Sequence, residues 1–470
     1  MMMSKPVILE DVEFKRSQNT LNSADWNWSS KHYANHDIPA NYYESSLASW
    51  LSFDALNKDL TCDVVVIGAG LLGASAALHL AEQGLEVVLV DKDRIGSAAS
   101  GRNGGQLTPG LARWEAEDMI HHFSHEEAKK IWQFTAIESM QLIDDIADKY
   151  GLHLARSYGH ITAAVHPGHI SSLTKGANAR VLLGDTNTHI VSKKELLDYV
   201  VSETYHGGLI DRLGGQIHPL ALNRGLVHGF LKNNGSVYEN TTVTSIHEQN
   251  DCTYVNTTEG TIKAKKAVVM AVHHSSFQLL ENSPNTTIPF FTYVGVTKPL
   301  DVDLEQILPK KYPVYDTQLQ IDYYRGVSKN RLLFGGQGTG SCWNPEKTSA
   351  YLLGRIAHVF PDLKATSFDF VWSGKTDLTV NGAVDSRKST AKAPVYAVHG
   401  WSGHGVAQTV RIGKAIADDV FGYNQDYDRL TQIEHKNIPL GRMFAPLAIP
   451  LAKCLYSAQI ALQPGKMISF

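Results

Sequence analysis

The sequence predicts an α/β protein with a Rossmann-like parallel sheet, and three observations carry that prediction. An apolar run, Val64-Val65-Val66-Ile67, passes into Gly68, Ala69, Gly70, Leu71, Leu72 and Gly73. The helix-forming stretch Ala74 to Gln83 follows, and a second apolar run, Val87 to Val90, then closes on Asp91. Further on, Ala267-Val268-Val269-Met270-Ala271 is apolar throughout, as strands covered on both faces are. Strand, glycine turn, helix, strand and acid fit within about 30 residues, the size of a dinucleotide-binding βαβ unit.

Each element of that unit has a physical reason. Gly68 permits the tight turn, Gly70 lets the backbone approach a pyrophosphate, and Gly73 lets helix and strand pack closely. The helix N-terminus offers unpaired N–H groups and partial positive charge to phosphates. Asp91, 18 residues past Gly73, is placed to accept hydrogen bonds from ribose hydroxyls. Its charge repels a 2′-phosphate, which disfavours NADP and leaves NAD or FAD. The next segment, Arg94 to Gln106, decides between them. It is too rich in Gly, Ala and Ser for a core element, and such a loop follows a phosphate or ring system through its backbone N–H groups. Arg102 adds a fixed positive charge suited to pyrophosphate or to an electron-rich flavin ring.

The remaining chain alternates between the two periodicities. Glu126 to Tyr150 reads as one long amphipathic helix and Leu220 to Asn233 as a second, closing at Asn233-Asn234-Gly235. Val237-Tyr238 and Val243 to Ile246 alternate as strands, and Tyr254 to Thr257 with Thr261 to Lys263 flank a Glu259-Gly260 hairpin turn. Near the end, the strand Val395 to Val398 precedes Gly400-Trp401-Ser402-Gly403-His404-Gly405-Val406 and the helix Thr409 to Val420. This second glycine turn would aim N–H groups at a developing negative charge. With 470 residues, 43% of them hydrophobic, and a formal charge of −4, the chain can bury a full core. That charge gives no electrostatic reason to expect nucleic acid or an anionic membrane as partner.

Cys62, Cys252, Cys342 and Cys454 lie far apart without CxxC spacing and read as free thiols. Met1 to Asp63 is polar and aromatic (Trp26, Trp28, Trp50) and lacks the apolar core of a secretory signal, so a cytoplasmic protein is expected. Met443 to Leu462 is apolar but holds Pro446, Pro450 and a central Lys453. It reads as an arm packed across the surface or a subunit interface, with peripheral membrane contact as the other reading.

The run Ile95 to Gln106 resembles the signature loop of the FAD-dependent amine and amino-acid oxidases, the D-amino-acid oxidase, glycine oxidase and sarcosine oxidase group. Within it, the loop looks most like that of the gamma-glutamylputrescine oxidase subgroup. The likeness continues at Gly214 to Leu220, Asp322-Tyr323-Tyr324-Arg325, Arg331 to Gly336 and Gly400 to Val406. It implies a Rossmann-like FAD domain interleaved with a mixed-sheet substrate domain that caps the flavin. Residues 61–155, 211–275 and 395–437 would form the first and 156–210 and 276–394 the second, between an N-terminal extension (1–60) and an apolar C-terminal arm (438–470).

The resemblance implies that Gly68 to Gly73, Asp91, Lys92, Ser100, Gly101, Arg102, Asn103, Gly104, Gly105, Gln106, Val243, Gly403, His404, Gly405 and Val406 surround FAD. Cys342 is not placed for a covalent link, so the FAD is expected to be non-covalent. His404 is expected to contact substrate or tune the flavin, and Tyr324 or Arg325 to touch the substrate, with Trp372 as a further wall. Relatives acting on α-amino acids carry an Arg-Pro pair shortly after a Trp-x-Gly, to clamp the substrate carboxylate. Here that place reads Lys375-Thr376-Asp377-Leu378-Thr379. The expected activity is therefore oxidation of an amine on an alkyl chain, such as gamma-glutamylputrescine, to an imine that hydrolyses to an aldehyde. O2 would be the electron acceptor, reduced to H2O2. The alternatives are an amino-acid dehydrogenase passing electrons to a quinone and a non-catalytic FAD-binding redox sensor.

Overall fold

The computed structural model describes residues 5–9, 41–273, 285–438 and 440–468; Trp26 and Trp28 lie outside them. Strands with no polar face need cover on both sides, and the chain meets this need with one parallel-centred sheet. Its middle strand β1 (Leu60–Ile67) pairs in parallel with β2 (Val87–Val90) on one side and β10 (Thr261–Met270) on the other. Beyond these lie β7 (Ser236–Tyr238), parallel to β2, and β17 (Val395–His399), parallel to β10. The antiparallel β16 (Asp385–Lys388) closes one edge. The hairpin β8 (Val243–Gln249) and β9 (Cys252–Thr257) joins through β10. Val64, Val66 and Leu89 face the main core, whereas Val65, Ile67, Val88 and Met270 face a second apolar cluster that includes Val255 of the hairpin. Burial on both faces is why β1 and β2 read as unbroken apolar runs.

The main core holds α1 (Leu71–Glu82), α6 (Pro219–Lys232) and α8 (Val406–Val420) against this sheet. α1 and α8 cross at Gly413, where a β-carbon would lie 2.8 Å from the Leu72 carbonyl oxygen and 2.8 Å from the Ala76 nitrogen. Only a glycine allows that approach. Both helices follow parallel strands of one sheet, so both begin at the same sheet edge.

The second sheet runs in the order β15-β11-β14-β13-β12-β4-β6-β3, with β5 beside β6. Its members are β3 (Gln106–Leu107), β4 (Ser157–Ala163), β5 (Thr188–Ser192), β6 (Gly207–Gln216) and β11 (Thr287–Thr297). The others are β12 (Val314–Asp316), β13 (Asp322–Val327), β14 (Arg331–Thr339) and β15 (Phe368–Thr379). Around it lie α2 (Ala116–His122), α5 (His169–Leu182) and α7 (Pro345–Val359). The two sheets thus draw on alternating stretches of chain. The division expected at residue 211 falls inside β6, and β16, expected with the second sheet, joins the first. Alternation of side chains defines a strand but not the sheet it joins.

The expected long helix is three pieces: α3 (His125–Trp132), a π-helical turn Gln133–Ile137, and α4 (Glu138–Tyr150). Thr135 Oγ1 bonds back to the Ile131 carbonyl at 2.7 Å and Ser139 Oγ to that of Thr135 at 2.7 Å, competing with the regular ladder. The C-terminal arm is α9 (Gly441–Leu462), lying on β11 through Ala445, Ile449 and Phe290. Its other face exposes Met443, Leu447, Leu451, Leu455 and Leu462. By length and composition alone, Met443–Leu462 is apolar enough to cross a membrane. The following residues reach α5, where Met467 packs with the cluster containing Leu173 and Ala177.

Gly413→Leu is expected to force α1 and α8 apart and destabilise the fold by about 1–3 kcal/mol, read as a lower thermal midpoint. An unchanged midpoint would mean that the crossing tolerates a side chain.

Candidate functional site

Between the edge where α1 and α8 begin and the second sheet lies a cavity of about 640 Å³. Gly70, Leu71 and Leu72 line it from the start of α1, and Gly403, His404, Gly405 and Val406 from the start of α8. The N-cap residues, Gly70 and Gly405, carry no side chain of their own. Two helix N-termini therefore present N–H groups and partial positive charge to one space. A β-carbon at Gly70 would lie 2.7 Å from Ser100 Oγ, which itself accepts the Leu71 N–H at 2.9 Å. This cradle fits a diphosphate at α1 and an electron-rich ring at α8, as a flavin dinucleotide requires.

The loop after β2 forms the floor. Ser100, Arg102, Asn103, Gly104 and Gln106 line the cavity. Asn103 holds the loop in shape, donating to the Ala99 and Ser100 carbonyls at 3.0 and 2.9 Å while Oδ1 accepts the Gly105 N–H at 2.8 Å. Arg102 is only 2% exposed and donates from Nε to the Ser373 carbonyl at 3.1 Å. Gln106 donates to the Val314 carbonyl at 3.0 Å, and its Oε1 faces His160 Nε2 at 3.1 Å. Gly68, Ala69, Gly73, Gly101 and Gly105 stand behind this lining and shape it. A β-carbon on Gly73, for example, would lie 1.9 Å from the Gly68 carbonyl oxygen.

Asp91 also stands behind the lining. Oδ2 accepts the Ala69 N–H at 2.6 Å and Oδ1 the Asp93 N–H at 2.9 Å, so the carboxylate stitches the glycine turn to the end of β2. Burial pushes it up to about 7 despite those two bonds. A carboxylate offers about four acceptor positions, which leaves room for ribose hydroxyls. Lys92 and Val243 do not reach the cavity. Lys92 is solvated beside Asp93 at 3.7 Å, and Val243 packs on the second apolar cluster.

His404 lines the cavity with Nδ1 in hydrogen-bond contact with the Ala112 carbonyl. A carbonyl accepts only, so Nδ1 carries the proton and Nε2 is left as an acceptor. Burial lowers the pKa of His404, helped by Arg113 and Arg180 and opposed by Glu115. That lowering favours the neutral ring. The turn carrying it is held from β15, where Asp377 Oδ2 accepts the Gly400 N–H at 3.1 Å and its carbonyl the Ser402 N–H at 2.9 Å.

β13 corrects the expectation about its side chains. Tyr323 lines the cavity and neither Tyr324 nor Arg325 does. Tyr324 points into the core, stacked on Phe334 with its hydroxyl donating to that of Tyr205 at 3.0 Å. Arg325 lies on the face of Tyr323 but behind the loop, donating to the Gly104 carbonyl at 2.7 Å and the Tyr43 hydroxyl at 3.1 Å. Trp372 is a core residue, its indole donating to the Arg102 carbonyl at 2.8 Å. All four cysteines are free.

The structure adds further lining residues, of which the sequence had pointed only to Lys375 and Lys453. Phe290, Gln337, Lys375 and, from α9, Ile449 and Lys453 form the far wall; Glu115 and Arg180 stand on another side. Lys453 was legible as the one charge in an apolar run, but not its inward aim. Tyr324→Phe is expected to cost about 1–2 kcal/mol of stability by orphaning the buried Tyr205 hydroxyl while leaving substrate KM unchanged. A raised KM with intact stability would put Tyr324 back in the site.

Comparison with known proteins agrees with this geometry. Residues 63–419 match the family model described as FAD dependent oxidoreductase (DAO). The chain is 31% identical over 409 residues to the gamma-glutamylputrescine oxidoreductase of Escherichia coli (strain K12), covering 86% of this chain and 94% of that protein. It is 28% identical to a probable oxidoreductase OrdL of Haemophilus influenzae, covering 88% and 96%. Among solved structures, the glycine oxidase from Geobacillus kaustophilus superposes with a TM-score of 0.67 at 22% identity, covering 80% of this chain and all of that one. The L-proline dehydrogenase from P. horikoshii does so with a TM-score of 0.66 at 18% identity, covering 80% and 98%. Fold, cradle and sequence converge: the chain belongs to the DAO family of FAD-dependent oxidoreductases.

Proposed function

We propose that this protein is a cytoplasmic oxidase that removes a hydride from the C–N bond of an amine carried on an alkyl chain, gamma-glutamylputrescine or a similar compound. The observation that carries the reading is the pairing of a neutral His404 with a wall that lacks the arginine fork of α-amino-acid oxidases. Lys375 and Thr376 stand at that wall instead. The arginines that do border the cavity already serve protein acceptors. Arg102 donates to the Ser373 carbonyl, Arg113 to that of Ser402 at 2.9 Å, and Arg180 to Glu115 and Asp211 at 2.9 and 2.6 Å.

FAD, held without a covalent bond, would accept the hydride and pass its electrons to O2. Gly70 to Leu72, Ser100, Arg102 and Asn103 would hold its diphosphate side, and Gly403 to Val406 would face its ring. His404 Nε2 would accept a hydrogen bond from the substrate amine and fix the C–N bond over the ring. Phe290 and Tyr323 would exclude water from the alkyl chain. A second reading, a dehydrogenase delivering electrons to a membrane quinone, draws support from the exposed apolar face of α9.

The purified yellow protein, mixed anaerobically with gamma-glutamylputrescine, putrescine and a panel of amino acids, is expected to lose its flavin colour with the first far faster than with the amino acids. His404→Ala should slow that bleaching about 100-fold at saturating amine while FAD stays bound. Bleaching by amino acids alone, or a wild-type rate in the variant, would overturn the reading. On readmission of air, O2 consumption identifies an oxidase; reoxidation only by an added quinone identifies the dehydrogenase.

FAD retention should depend on pH through Asp91. The ribose hydroxyls favour the ionised carboxylate, whereas burial pushes Asp91 up to about 7. Affinity is expected to fall as pH drops below about 7, by at most about tenfold per unit, and to be flat above it. Asp91→Asn should abolish the slope; a slope that persists would belong to another group.

A further inference from the structure

The wall of the cavity holds a cation, Lys453, that has no counter-ion among the described residues. Lys453 lines the cavity from α9, a largely apolar helix without a single Asp or Glu between Gly441 and Leu462. Its Nζ donates to the Gln337 side-chain oxygen and to the Gly338 carbonyl, both neutral acceptors. Among the described residues no carboxylate pairs with it. A half-buried ammonium without an anion is costly to the fold, and the cost is offset when a ligand supplies the charge. Burial alone holds it down to about 8, with no acid to raise it. The acceptors are themselves placed with care: Gln337 takes a left-handed φ of 63°, a strained choice for a residue that is not glycine.

The position of this cation relative to the reacting centre follows from Phe290. A β-carbon at Gly403 would lie 3.8 Å from its ring, and one at Gly338 would lie 3.2 Å away. Phe290 thus lies near both the His404 turn and the Gly338 segment that holds Lys453, and offers an apolar ring to a ligand that reaches both. A linear amine carrying an anionic group at its far end has that shape.

We infer that Lys453 is a specificity residue, binding a carboxylate at the end of the substrate remote from the oxidised amine. The inference deepens the amine-oxidising reading and rests on it for the identity of the near end, but the anion pocket itself can be tested apart from catalysis.

Two measurements on the holoenzyme and on Lys453→Gln and Lys453→Arg decide it. In the first, glutarate is titrated calorimetrically. Wild type and Lys453→Arg are expected to bind it, and Lys453→Gln to bind about 10- to 100-fold more weakly, the range of a charge-assisted hydrogen bond. In the second, the ratio of kcat/KM for gamma-glutamylputrescine to that for N-acetylputrescine, which lacks the carboxylate, is expected to fall by a similar factor in Lys453→Gln through KM, with rescue in Lys453→Arg. An unchanged glutarate affinity or an unchanged ratio overturns the inference. If neither amine bleaches the flavin, the amine-oxidising reading fails, and glutarate binding alone decides whether the anion pocket stands.

Discussion

Everything at the site depends on two helix N-termini being brought to one edge of one sheet. β1 and β17 both pair in parallel with β10, so their C-terminal ends point to one edge, and the helices that follow them start there. The glycine crossing at Gly413 then draws α1 and α8 into backbone contact, with Leu72 itself part of the crossing. Position at one end of the cavity is thereby coupled to position at the other. Each helix alone would make a weak anion site. Together they define a polarised slot whose length is set by strand spacing rather than by flexible side chains.

Much of that slot was legible in the chain because its determinants are local. A βαβ unit announces itself through glycine spacing, apolar runs and a terminal acid within a short window, and the turn around His404 does so through Gly400, Gly403 and Gly405. Non-local facts were not legible. The period of β13 put Tyr323 and Arg325 on one face, and they do share it. Yet only depth decides which of them meets open space, and the loop at Gly104 covers Arg325. Asp377 looks unremarkable in sequence, and its role as the tether of the 400–403 turn exists only once β15 lies beside that turn. The π-helical turn at Gln133–Ile137 was masked because one extra residue scarcely disturbs an amphipathic period.

Charge in the cavity is distributed by a consistent rule. The arginines that border the cavity each direct a donor to a main-chain oxygen or a paired acid, which fixes their direction. Arg180 between Glu115 and Asp211 is the clearest case, buried with both partners within hydrogen-bond reach. His404 is kept neutral by the same low polarity that makes those pairings necessary. Around His404 the field therefore comes chiefly from main-chain groups at the start of α8 rather than from a charged imidazole.

The wall contributed by α9 lies beyond residues 63–419, the stretch that matches the family model. On the inference made for Lys453, recognition of the far end of a substrate would come from a helix other than those that build the flavin cradle. Variation confined to that terminal helix would then change what the cavity accepts without touching the residues at the starts of α1 and α8.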